Sequence, residues 1–192
     1  MKHPEALEPI VAFLRGLGME VVYGDGAQGG FLPGVNIHAG VIHVDPDSLL
    51  EAGDVLHEAG HIIVVPRRYW PRLGRDLQAD IEALVAEQSG PGQTPDPLLV
   101  RAARQGEQMA QAWSYAVVRH LGLPLESLFF PGSYRVGPYE GTHPFQTWIE
   151  QGTHFGPLFL AQAELTGFSG LFAYMGNNGL PPFPHVSRWT VD

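Results

Sequence analysis

Cysteine is absent from all 192 positions, so neither a disulfide nor a thiolate metal site can form. Histidine, aspartate and glutamate are left as the strong metal ligands. Basic side chains are scarce: eleven Lys and Arg stand against twenty Asp and Glu, a formal net charge of −9. That charge argues against nucleic acid as the main partner, because phosphate binding needs a basic face. No apolar run approaches the roughly 20 residues that a membrane span requires. Met1-Lys2-His3-Pro4-Glu5 also lacks the basic-then-apolar layout of a signal peptide. The expected setting is cytoplasmic, away from membranes.

What is present points to a folded chain rich in turns. Hydrophobic residues make up 44 % and charged residues 16 %, a balance that supports a core. The length suits one domain spanning residues 1–192. Twenty-four glycines and seventeen prolines imply short elements. Leu7, Ile10, Val11, Leu14 and Leu17 recur at helical spacing, which predicts an amphipathic helix over 4–17. Val21-Val22-Tyr23 reads as a short strand within 19–23. Val35-Asn36-Ile37 and Val41-Ile42-His43-Val44 flank His38-Ala39-Gly40 and predict a hairpin. Asp45-Pro46-Asp47-Ser48 supplies helix-start chemistry for a helix reaching Val64, which Pro66 stops. Further helices are expected over 76–88, from Pro97 to Leu121 with a break at Gly106, and near 144–150 and 157–165. The fold class is α+β, with a small sheet and a mostly helical C-terminal half.

His57-Glu58-Ala59-Gly60-His61 carries the chemistry. Four residues advance a helix by slightly more than one turn, so His57 and His61 project from one side. Their imidazoles can share one ion at about 2.0–2.1 Å. Glu58, roughly 100° round from His57, can reach a water at that ion and serve as general base. A shuffled chain of this composition contains the pattern in about 3 % of cases, so context must decide. Ala52, Leu56, Ala59 and Ile63 give the helix an apolar back. Ala59 and Gly60 are small enough for a neighbouring helix to come close. The expected cofactor is Zn2+, held by His57, His61 and a third ligand from a later helix.

Candidates for that ligand are Asp80, Glu82, Glu87 and Glu107; a third histidine at the metzincin spacing is excluded because position 67 is Arg. Glu107 is favoured because Glu107, Ala110, Ser114 and Val118 form a helix side lined mainly by small residues. Such a side lets two helices pack closely. Asp80 and Glu82 read more naturally as solvated helix residues. A donor for a developing oxyanion is sought among Tyr115, Tyr134, His143 and His154, with Tyr134 and His154 set in glycine-flanked loops. Asp54, one turn before His57, is a candidate to orient its imidazole. His120 falls on the apolar side of its helix and is expected in the core.

Leu56-His57-Glu58-Ala59-Gly60-His61-Ile62, followed by the Glu107-to-Ala116 segment, resembles the ImmA/IrrE-type zinc peptidases and related uncharacterised bacterial proteins. The resemblance covers roughly residues 31–125. It implies a compact zincin-like fold of the gluzincin kind, with His57, His61 and Glu107 as ligands and Glu58 as base. The DNA-binding helix-turn-helix of some relatives has no counterpart. The expected activity is zinc-dependent hydrolysis of a peptide bond in a peptide or protein substrate. The alternative is a regulatory or scaffold protein that keeps the metal site without proteolysis.

Overall fold

The computed structural model describes all residues, 1–192. After one 3-10 turn at Pro4–Ala6, helix α1 runs over Leu7–Gly16 and buries Leu7, Ile10, Val11 and Leu14, the face set by their spacing. Strands β1 (Val21–Tyr23), β2 (Val35–His38) and β3 (Val41–Val44) form one sheet in the order β1-β3-β2. β1 runs parallel to β3, and β2 antiparallel to it. Val35 faces Val44 and Ile37 faces Ile42, so the buried apolar side chains of both strands share a face, as a period of two requires. The hairpin turns on two left-handed residues, Ala39 and Gly40.

Helix α2 (Gly53–Ile63) lies against this sheet and against the long helix α4 (Pro97–Leu121). Ala52, Leu56, Ala59 and Ile63 are fully buried, which bears out the expected apolar back. The start of α2 differs from expectation. Asp45 accepts from Asp47 N and Ser48 Oγ and closes a local turn instead, and the helix begins only at Gly53. Competition of short polar side chains with the helical backbone explains the delay. Helix α3 (Leu77–Glu87) is capped by Asp76.

Helix α4 continues through Gly106 without a break. A glycine inside a helix costs about 1 kcal/mol, too little to interrupt a 25-residue helix with so much buried surface. It ends at the left-handed Gly122. Two short helices follow, α5 (Pro144–Glu150) and α6 (Phe155–Gln162), the second starting two residues before the expected boundary. His120 is exposed rather than core, flanked by the rings of Phe13 and Trp189. The C-terminal tail returns to α4 and to the segment after α2: Trp113 Nε1 donates to Trp189 O at 3.0 Å, and Arg67 N donates to Asp192 Oδ2 at 2.9 Å. No helix is long and apolar enough to cross a membrane.

Candidate metal centre

The closest approach of α2 to α4 sets the site. A Cβ added at Gly60 would lie 2.9 Å from both Cα and Cβ of Ala110, so only glycine allows this separation. Across the contact, His57 and His61 on α2 meet Glu107 on α4. The two Nε2 atoms are 3.3 Å apart, and Glu107 Oε2 lies 3.7 Å from His57 Nε2 and 3.2 Å from His61 Nε2. A point equidistant from these three atoms is about 2.0 Å from each, the bond length of zinc to imidazole nitrogen or carboxylate oxygen. His57, His61 and Glu107 therefore form a group that could hold a metal ion.

The surrounding electrostatics suit a cation. Burial opposes charge on Glu107, but the hydrogen bond from His61 and the nearby imidazoles outweigh it and hold the carboxyl well below its usual range. Burial, reinforced by His61, pushes the His57 ring down to about 4, which keeps its nitrogen lone pair free for a ligand bond. Burial pushes Glu58 upward, offset by His61 and reinforced by Glu107. A carboxyl pushed upward in this way holds a proton more readily than an exposed one.

The other third-ligand candidates are engaged elsewhere. Asp80 Oδ2 accepts from Gly74 N at 2.7 Å, Glu82 accepts from Gln78 at 2.6 Å, and Glu87 forms a two-bond pair with Arg72. Asp54 lies beside the site but makes no hydrogen bond to His57: Asp54 Oδ2 and His57 Nδ1 are both buried without partners. Burial, opposed by a backbone hydrogen bond at Glu51 and reinforced by the carboxylates of Glu58 and Glu51, pushes Asp54 up to about 7.

Tyr134 belongs to the site. Its ring meets that of His57 edge-on at 5.0 Å, and its buried Oη has no protein partner. Burial, with Glu107 and Asp54 adding to it, raises the phenol well above its usual range, so it stays a hydroxyl donor. Tyr134 and Arg135 both adopt left-handed backbone, φ +52° and +55°. Such residues cost about 1–2 kcal/mol each. The loop is held by Ser133 Oγ, which accepts from Phe130 N at 3.2 Å and bonds His143 Nε2 at 3.2 Å. His143 is thus a loop anchor and the cap of α5 rather than a group facing the metal position. Phe31, Leu32, Leu50 and Phe130 complete an apolar-walled cavity of about 240 Å³ that opens onto His57, Glu107, Asp54 and Tyr134.

His154 is not at the metal position either. It caps α6 through Nδ1 and reaches Gln111 through Nε2, and Gln111 in turn bonds Glu107. Sequence reasoning overlooked Gln111. Its position one helical turn after Glu107 was the available signal. No family model, curated protein or solved structure matches the chain, so the folded arrangement of His57, Glu58, His61, Glu107 and Tyr134 is the ground on which a function can be argued.

Proposed function

We propose that the chain is a zinc-dependent peptidase with a zincin-like fold, as its resemblance to the ImmA/IrrE-type peptidases implies. The observation that carries this reading is the convergence of His57 Nε2, His61 Nε2 and Glu107 Oε2 at the spacing of a tetrahedral zinc site, beside Glu58 and an open apolar cavity. Two histidines and one glutamate on zinc, with a fourth position open, form a catalytic rather than a closed structural ligand set. When bound, zinc supplies Lewis acidity toward a carbonyl oxygen and lowers the pKa of water toward about 7.

The chain's own groups do the rest. Glu58 takes the proton of the attacking water and passes it to the departing amine. Tyr134 donates its hydroxyl to the oxygen that gains charge as the carbonyl carbon becomes tetrahedral. The walls of Phe31, Leu32, Leu50 and Phe130 receive an apolar side chain of the substrate and keep water from the reacting atoms.

Elemental analysis of the purified chain should find one zinc per molecule, lost in His61→Ala. Glu58→Gln should retain the zinc and lose cleavage of a mixed peptide library by at least about a hundredfold. Undiminished cleavage by Glu58→Gln would defeat the mechanism. Stoichiometric zinc with no cleavage by the wild-type chain would point instead to a regulatory or scaffold protein.

A further inference from the structure

Glu107 is the most exposed of the three metal-facing side chains, 56 % against 13 % for His57 and 18 % for His61. Holding a glutamate side chain in one rotamer costs up to about 1.5–2 kcal/mol, so an exposed one needs a partner to fix it. Gln111 Nε2 donates to Glu107 Oε1 at 2.7 Å, which leaves Oε2 turned to the histidines. Which end of the Gln111 amide faces Glu107 is decided further back.

His154 Nδ1 accepts from the backbone N–H of Gly156 at 3.0 Å. A ring nitrogen that accepts carries no proton, so the proton of the neutral ring is on Nε2. That Nε2 lies 2.9 Å from Gln111 Oε1, so the amide oxygen must face His154 and the amide nitrogen must face Glu107. Each link has one allowed polarity. Burial, against a weak pull from Glu107, pushes the His154 ring down to about 4 and keeps it neutral. Gln111 and His154 are themselves 3 % and 6 % exposed, so no water competes along the way.

The start of α6 cannot drift from α4 either. A Cβ at Gly156 would stand 2.1 Å from Gln108 O and 2.6 Å from Ala112 Cβ. A helix cap alone does not call for histidine, since Ser, Asp or Asn cap better. Histidine adds a donor on the far side of the ring from the capping acceptor, directed at Gln111.

We propose that His154 and Gln111 are positioning residues, a buried relay from α6 that fixes the rotamer of Glu107 and thereby sets the metal affinity of the site. The proposal rests on the reading of His57, His61 and Glu107 as metal ligands. It does not depend on peptide hydrolysis.

Zinc competition against a chromophoric chelator tests it. Gln111→Met and His154→Phe should each lose about 10–100-fold in zinc affinity. His154→Gln, which keeps a donor near the position of Nε2, should restore affinity to within about threefold of wild type. In a Glu107→Ala background, Gln111→Met should cause no further loss, because its effect passes through Glu107. Should Gln111→Met fail to fold, Gln111→Glu keeps the volume and the bond from His154 while setting a carboxylate against Glu107, and the same loss is expected. Folded Gln111 and His154 variants with wild-type affinity would overturn the relay, as would an equal loss with and without Glu107. A wild-type chain that takes up no zinc would overturn the ligand reading and the relay together. One that binds zinc and cleaves nothing would overturn only the hydrolytic reading.

Discussion

At the scale of single residues, His154 has a consequence for the metal-free chain. Its folded pKa of about 4 lies below the ordinary 6.5. The unfolded chain therefore takes up a proton first as pH falls, and stability that is complete above 6.5 is lost on the way down to 4. His57 behaves alike over the same window, through burial and His61. Replacing His154 by glutamine removes one of the two. Urea midpoints of the chelated chain should fall more steeply with acidification in wild type than in His154→Gln, by at most about 1.4 kcal/mol per pH step. Parallel profiles would show that His154 carries no such linkage. His57, Glu58 and His61 could be read from the sequence because helical geometry fixes residues four apart. The link from His154 to Gln111 could not, because 43 residues of chain separate them and only the docking of α6 brings them together.

Between elements, the decisive contact is Gly60 on Ala110. A larger residue at position 60 has nowhere to go, since what it meets is backbone and a Cβ rather than a flexible chain end. Gly60→Val should cost about 3 kcal/mol through overpacking. It should also weaken zinc binding by pushing the histidines away from Glu107, read as a lower denaturation midpoint and a weaker chelator competition. Unchanged zinc affinity in a folded Gly60→Val would show that the helix separation does not govern the site. The small residues in both helices made this approach legible in the sequence. The late start of α2 and the continuity of α4 at Gly106 were not, because turn formation by Asp45 and tertiary burial override local propensity.

At the scale of the whole molecule, the last residues act as a clasp over α4 and the end of α2. Trp189 meets Trp113 edge-on at 6.2 Å and Phe13 at 5.0 Å, while Val191 N bonds Ile63 O at 3.4 Å. Deleting residues 189–192 uncovers Trp113 and the end of α2. The expected loss is about 3 kcal/mol, or roughly 6–12 °C in the thermal midpoint of a chain this size. A melt within about 2 °C of the full chain would show that the tail rests on a core already closed without it. The aromatic composition of this segment made a packed wrap legible, but not its partners, since no periodicity links Trp189 to Phe13 or Trp113.

The glycine-to-alanine contact between α2 and α4 also bears on how an ion would arrive. Small metal-organised domains begin unfolded and gather their ligands as they bind, so much of the binding free energy goes into ordering the chain. Here the close contact of Gly60 with Ala110 holds the two helices together, and the three donor atoms already stand 3.2–3.7 Å from one another without an ion between them. Uptake of an ion would then reorder little of the scaffold, and the affinity would reflect the coordination bonds and the dehydration of the ion itself. An ion held there would be lost to a chelator and regained with the scaffold folded throughout.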